Sequence, residues 1–213
     1  MDKLKSYFLR CLNAEYIATE EGGDYALQRE GDTLYLCFQG SAEKEDWKNN
    51  FNFPAKAYSD MGIKWYCHRG FLRVWKAIRP YVAAAVHDKT VKKVIVIGYS
   101  HGAALATLAH EYVWFEREDL RDSLEGYGFG CPRCFWGFMK KELKERWKTF
   151  HPVRNMNDLI THLPPVIFGF RHVNKVLKVG KRWQYKFDFK AKPFVKKFPC
   201  IRAHYPEEYI AKL

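Results

Sequence analysis

The chain has 213 residues, 47% of them hydrophobic, enough to bury a sizeable core in one domain spanning residues 1–213. Its longest apolar runs are far too short to cross a bilayer, and the opening MDKLKSYFLRCLNAEY lacks the uninterrupted apolar stretch of a signal peptide, so cytoplasmic residence is the expectation. The formal net charge of +12 leaves anionic partners open, whereas a chain this long does not need its six scattered cysteines as covalent staples, so buried free thiols are expected.

In chain order, Leu4, Phe8, Cys11 and Leu12 share one face of an amphipathic helix suited to covering a sheet. Gly22-Gly23 and Glu30-Gly31-Asp32 are turn signals, and Thr33–Gln39 is rich in β-formers, so a strand is expected there, ending at Gly40-Ser41. The polar stretch SAEKEDWKNNFNFP has helical character and apolar anchors at Trp47, Phe51 and Phe53; it is a candidate lid. Arg73–His87 carries Val74, Ile78, Val82 and Val86 in helical register around Pro80. An aliphatic strand at 94–97 leads through Gly98-Tyr99-Ser100-His101-Gly102 into an alanine- and leucine-rich helix. Glu116–Asp122 is a charged connection, and residues 123–130 give a short strand and a turn. Phe135–Lys148 reads as an amphipathic helix with Phe138, Leu143 and Trp147 among its apolar positions. A strand at Thr149–Val153, the polar loop Arg154–Asp158 closed by Pro164-Pro165, and strands near Val173–Val179 and Arg182–Phe189 complete the pattern. Alternating strands and helices, without internal repeats, predict an α/β layered sheet.

Two features outside this framework admit more than one reading. Cys131-Pro132-Arg133-Cys134 has the gap of a redox or zinc half-site, but no second pair completes a tetrahedral set. Between Lys175 and Arg202 basic residues recur among aromatics, opposed only by Asp188, as a surface for nucleic acid or an anionic membrane would require. The strand-like alternation from Arg182 to Lys190 instead puts aromatics on a buried face and charges in solvent; no nucleic acid partner is expected, and peripheral membrane contact is retained.

The segment 91–109 carries the chemistry. Strand, Gly-x-Ser-x-Gly and helix are the setting of a nucleophile elbow, in which the glycines let strand and helix pass closely and the serine projects from the sheet edge. The amide of His101 would then stand at the helix N-terminus, where an oxyanion is stabilised. A serine hydroxyl needs a histidine base, and the histidine a carboxylate that fixes its tautomer. With acid and then histidine following the nucleophile in the chain, His68 and His87 drop out, and His101 and His110 belong to the elbow and its helix. Asp158, in a loop after a strand, is favoured over Asp119, Asp122 and Asp188, although Asn157-Asp158 also suits a cap or turn. His204, in a late loop between Pro199 and Pro206, is favoured over His162, which is close to Asp158 in sequence, and His172, which opens a strand.

Several blocks in the same order make the chain resemble the class 3 lipase family, the fungal-lipase-like α/β-hydrolases. Phe38-Gln39-Gly40-Ser41 resembles the family's oxyanion-loop block, Trp47 falls in its lid region, and His68-Arg69-Gly70-Phe71 is similar to its His-Lys-Gly-Phe. Gly98–Gly102 resembles Gly-His-Ser-Leu-Gly, Phe129-Gly130-Cys131-Pro132-Arg133 resembles Phe-Gly-Ser-Pro-Arg, and Asn157-Asp158 with Leu163-Pro164-Pro165 resembles the acid loop, with His204 at the terminal His position. The resemblance implies an α/β-hydrolase fold, with a central mostly parallel mixed β-sheet flanked by helices and a short lid segment. It implies catalytic Ser100, Asp158 and His204, an oxyanion hole at Ser41 and His101, Trp47, Phe51 and Tyr99 around the lid and substrate pocket, and no metal or organic cofactor. The reaction implied is hydrolysis of acylglycerols, phospholipids or smaller esters through an acyl-enzyme. Tyr99, His101, Ala103 and Gln39 depart from the family's blocks, and the lid candidate is more charged than an interfacial lipase would carry. The alternative is a non-catalytic scaffold of this fold that binds an anionic membrane or a partner through its basic C-terminal strands.

Overall fold

The computed structural model describes residues 3–20, 22–40, 54–180 and 200–213. The chain opens with helix α1 (Lys3–Leu12), then strands β1 (Ile17–Ala18), β2 (Gly23–Glu30) and β3 (Thr33–Gly40). Strands β4 (Ala55–Tyr58) and β5 (Trp65–His68) lead into helix α2 (Arg69–His87), strand β6 (Lys93–Tyr99) and helix α3 (His101–Glu116). Then come β7 (Leu124–Phe129), β8 (Phe135–Trp136), helix α4 (Lys141–Arg146) and β9 (Phe150–Asn155). Strands β10 (Phe170–Arg171) and β11 (Leu177–Val179) and helix α5 (Pro206–Ile210) complete the described elements.

Among the described residues, seven strands form one sheet in the order β1-β2-β3-β6-β7-β9-β11. The pairs from β3 to β11 run parallel, and β1 and β2 add an antiparallel edge. Alternation along the central strands explains how the sheet is covered on both faces. Leu34, Leu36, Val94 and Val96 pack with Val74, Trp75, Ile78 and Val82 of α2 and Leu105, Leu108 and Ala109 of α3. Cys37, Ile95, Ile97 and Tyr99 point the other way, against Phe8 and Cys11 of α1 and Tyr209 of α5. Helix α3 lies buried from His101 to Val113, which is why its sequence is apolar without a hydrophilic stripe. A second, antiparallel sheet, β10-β8-β5-β4, adjoins the first.

Several elements differ from the expectations. The helix expected over Phe135–Lys148 is instead β8 followed by the short α4, because Phe135 and Trp136 pair with Cys67 and Tyr66 of β5. Of its apolar positions Leu143 and Trp147 are buried, while Phe138 is exposed. Helix α2 starts at Arg69 rather than Arg73, because His68 accepts the Phe71 N–H and caps it. The strand expected over Val173–Val179 shortens to β11. Strands β2, β4 and β5 occupy stretches read only as turns or connections. The lid candidate and the strand expected at Arg182–Phe189 lie outside the described residues.

Candidate active site

The parallel register brings the carboxyl ends of four strands to one edge: Gln39 pairs with Tyr99, Tyr99 with Phe129, and Phe129 with Val153. Open α/β sheets bind their ligands at that edge. Between β6 and α3 the chain reverses at Ser100, whose φ of 55° is positive, the one such non-glycine conformation among the described residues. Its amide donates to the Phe129 carbonyl at 2.9 Å. The flanking glycines are needed for contact: a Cβ on Gly98 would lie 2.7 Å from Ala103 Cα, and one on Gly102 would lie 2.6 Å from Gln39 Cα. A Ser in a strained conformation here is held by packing on both sides.

The acid loop follows β9. The Asp158 amide closes a turn on the Asn155 carbonyl at 2.8 Å, and Asp158 bridges to Cys200, which brings the C-terminal segment alongside. Asp158 is fully buried. Its Oδ1 accepts the Ile160 N–H at 2.8 Å, so the turn-forming alternative is also realised. Its Oδ2 lies 2.8 Å from His204 Nδ1 and accepts the Tyr209 hydroxyl at 2.6 Å. His204 Nε2 in turn lies 2.8 Å from Ser100 Oγ. A carboxylate only accepts, so Nδ1 carries the proton facing Asp158 and Nε2 is left with its lone pair toward the serine. Ser100, His204 and Asp158, far apart in sequence, thus form one hydrogen-bonded chain.

The remaining candidates sort by position. His101 opens α3, so its N–H has no acceptor within the helix. Its imidazole is buried against Phe71, neither ring nitrogen has a hydrogen-bond partner, and burial, with His68 beside it, lowers its pKa to about 4. Tyr99, expected around the substrate pocket, is buried; its ring stacks on His204, with centroids 5.1 Å apart and planes 18° apart. Ser41, Trp47 and Phe51 lie outside the described residues. His172 bonds through Nε2 to the Thr161 carbonyl at 3.0 Å, and His110 to Thr149 Oγ1 at 3.1 Å, away from Ser100. The six cysteines are free thiols, with Cys200 alone only partly buried.

Two residues absent from the sequence reading of the site hold it together. Tyr209 donates to Asp158, and its oxygen accepts the Asn155 N–H at 3.0 Å. Arg133, singled out only as part of a block, donates to the carbonyls of His162 and Pro164 and so closes the acid loop. Neither contact has a local sequence signal. Among the described residues no group of three or more His, Cys, Asp or Glu could hold a metal, and no helix is long and apolar enough to cross a membrane.

A model of the family described as lipase (class 3) matches residues 35–168, well over half of the chain. The chain belongs to the class 3 lipase family. It is 32% identical over 145 residues to the secreted mono- and diacylglycerol lipase 1 of Fusarium solani, covering 66% of this chain and 42% of that one. With the lipase of Rhizomucor miehei it shares 30% over 149 residues, 67% of this chain and 40% of the other. The solved structure of the Rhizomucor miehei triacylglyceride lipase superposes with a TM-score of 0.62 at 26% identity, covering 74% of this chain and 63% of that one. The fold is that of the α/β-hydrolases, with a mixed, mostly parallel sheet flanked by helices, and the chain spans about two fifths of the length of the Fusarium and Rhizomucor relatives (42% and 40%). The expectation of a cytoplasmic location does not stand, because several relatives of this chain, that of Fusarium solani among them, are named secreted lipases.

Proposed function

We propose that this class 3 lipase is a serine carboxylic-ester hydrolase acting on lipid esters, with Ser100 as nucleophile, His204 as general base and acid, and Asp158 as the carboxylate that orients His204. The observation that carries the reading is the pair of contacts at His204, 2.8 Å to Ser100 Oγ and 2.8 Å to Asp158 Oδ2. As Ser100 Oγ bonds to the ester carbonyl carbon, its proton passes to His204 Nε2, and Asp158 stabilises the imidazolium. Collapse of the tetrahedral intermediate expels the alcohol, which takes that proton. Water, deprotonated by His204, then attacks the acyl-enzyme and releases the acid and Ser100. The His101 N–H at the start of α3 serves the oxyanion, with Ser41 as the second donor. Mono- and diacylglycerols, the substrates in the name of the Fusarium solani relative, are the first esters to test. Pure protein and Ser100→Ala are compared on acylglycerols and p-nitrophenyl esters of graded chain length. Turnover abolished by the substitution is expected; equal inertness of both, with no labelling by a fluorophosphonate, would falsify the reading.

A second reading concerns contact with an anionic lipid surface. Most of the basic stretch Lys175–Arg202 lies outside the described residues, but a described surface offers the same chemistry. Two apolar clefts of about 650 and 550 Å³ share Tyr66 and Trp136 as their common ridge. Phe138 in the second cleft and Phe168 in the first are exposed, at 92% and 55%, and Ile167, next to Phe168 in the chain, is 86% exposed. Lys64, Lys140 and Arg171 line the second cleft without an acidic residue. Apolar side chains rimmed by cations suit an interface of acidic headgroups. Phe138→Asp is expected to weaken binding to phosphatidylglycerol vesicles; binding indifferent to both the substitution and the vesicle charge would remove the reading.

A further inference from the structure

We infer that Tyr99 is a positioning residue for His204, tethering its backbone through the phenol hydroxyl and favouring the protonated imidazole through the ring face. The inference rests on reading Ser100, His204 and Asp158 as the catalytic machinery. His204 sits on a single 3-10 turn, Arg202–His204, a short element to hold a base in place. Two side chains pin that turn: Asn155 Nδ2 donates to the Ala203 carbonyl at 2.9 Å, and the Tyr99 hydroxyl donates to the His204 carbonyl at 2.5 Å. Strand parity sets the Tyr99 ring on the same face as Ile95 and Ile97, where Phe8 and Tyr209 meet it edge-on at 5.5 and 6.4 Å. The remaining face is the one stacked on the imidazole. Because Tyr99 immediately precedes Ser100, one strand end fixes nucleophile and base together. Burial, with Asp158 nearby, raises the phenol's pKa, so it remains a donor wherever the enzyme works.

An aromatic face attracts a cation, and the imidazole becomes one each time Ser100 is deprotonated. The titratable groups around it are Asp158 from the acid loop, Tyr209 from α5 and Tyr99 from β6. Glu207, Tyr205 and Cys11 act on the Tyr99 phenol. In Tyr99→Leu the acidic limb of the kcat/KM profile is expected to move to lower pH by up to about one unit, with kcat about tenfold lower and KM within about twofold of the parent. Tyr99→Phe keeps the ring and loses the tether: its limb stays in place while kcat falls about threefold to tenfold. The His204 imidazole signal, followed by NMR against pH, gives the same readout without turnover. Where Tyr99→Leu fails to fold, Tyr99→Met, unbranched and better able to fill the space of the ring, carries the test. An unmoved limb and an unmoved imidazole titration overturn the role of the ring, and an undiminished kcat in Tyr99→Phe overturns the tether. Turnover in the parent that Ser100→Ala does not remove would strike the catalytic reading instead.

Discussion

The Asp158 carboxylate is met by the Ile160 amide, the His204 imidazole and the Tyr209 hydroxyl, and the sources of those donors differ. The Ile160 amide is local, whereas Tyr209 lies fifty-one residues away and reaches Oδ2 only because α5 folds back beside α1. Burial and the Asp158 charge hold the Tyr209 phenol well above its usual range, so it donates rather than ionises. A hydrogen bond to a charged group contributes about 1.5–3 kcal/mol, so Tyr209→Phe is expected to lower kcat by roughly tenfold or more with little change in KM. Steady-state kinetics on a soluble ester check this; a kcat equal to the parent's would remove Tyr209 from the orientation of Asp158. The order nucleophile, acid, histidine is visible along one dimension, so Ser100, Asp158 and His204 could be nominated from sequence. A phenol that acts through a long-range contact has no spacing to betray it. Tyr99 stands out in the sequence for its place beside Ser100, but that its ring lies on the Phe8 and Tyr209 face of the sheet and stacks on His204 comes from strand parity and a long-range contact.

At the scale of elements, legibility followed length. Strand β6 and helix α3 are long, uniformly patterned and separated by Ser100 alone, with a glycine in each element beside the turn, so their boundaries were readable to within a few residues. Strands β8 and β10 are two residues each, too short to show a period, and the apolar residues around α4 mimic a longer helix because Leu143 and Trp147 are both buried. The β6–α3 crossing yields a sharp prediction. In Gly102→Ala the new methyl would collide with the Phe38 carbonyl and Gln39 Cα, backbone atoms that cannot swing aside. Loss of soluble folded protein, or a thermal midpoint lower by 10 °C or more on the order expected for several kcal/mol, is the expected outcome by circular dichroism. The short α4 is anchored differently: Arg146 binds the Met61 carbonyl at 2.7 Å and pairs with Glu111 at 3.0 Å in a buried site that Trp65 Nε1 joins at 3.1 Å. Arg146→Met leaves buried Glu111 and the Met61 carbonyl without their partner and is expected to cost about 3–5 kcal/mol in urea unfolding above pH 7, where Glu111 would be charged. Pairing it with Glu111→Gln should recover part of that loss, and no recovery would mean that the Met61 contact dominates.

For the molecule as a whole, its buried imidazoles set the response to acid. Burial, with His68 nearby, lowers the pKa of His101 to about 4, and burial lowers that of His110 to about 3. Burial, together with the Arg133 and Arg154 guanidiniums, takes His172 to about 3, and His151 is lowered by burial to a smaller degree. In the unfolded chain these rings bind protons near pH 6.5. Between pH 6.5 and about 4 the unfolded state therefore holds more protons, and stability falls as pH falls through that window. Glu111 works against this. Burial raises its carboxyl to about 7 against the pull of Arg146, so the folded state takes up its proton first and gains stability as pH falls toward the usual carboxylate range. Three strongly lowered imidazoles against one raised carboxyl leave a net difference of about two protons, a slope of about 2.7 kcal/mol per pH unit where all are fully engaged. Urea unfolding at stepped pH from 7.5 to 4.5, on the order of half a unit apart, is expected to show declining stability throughout. His110→Gln should flatten the slope and Glu111→Gln steepen it. Stability that held constant or rose on acidification, in the parent and both variants, would mean that these side chains exchange protons with solvent in the folded protein.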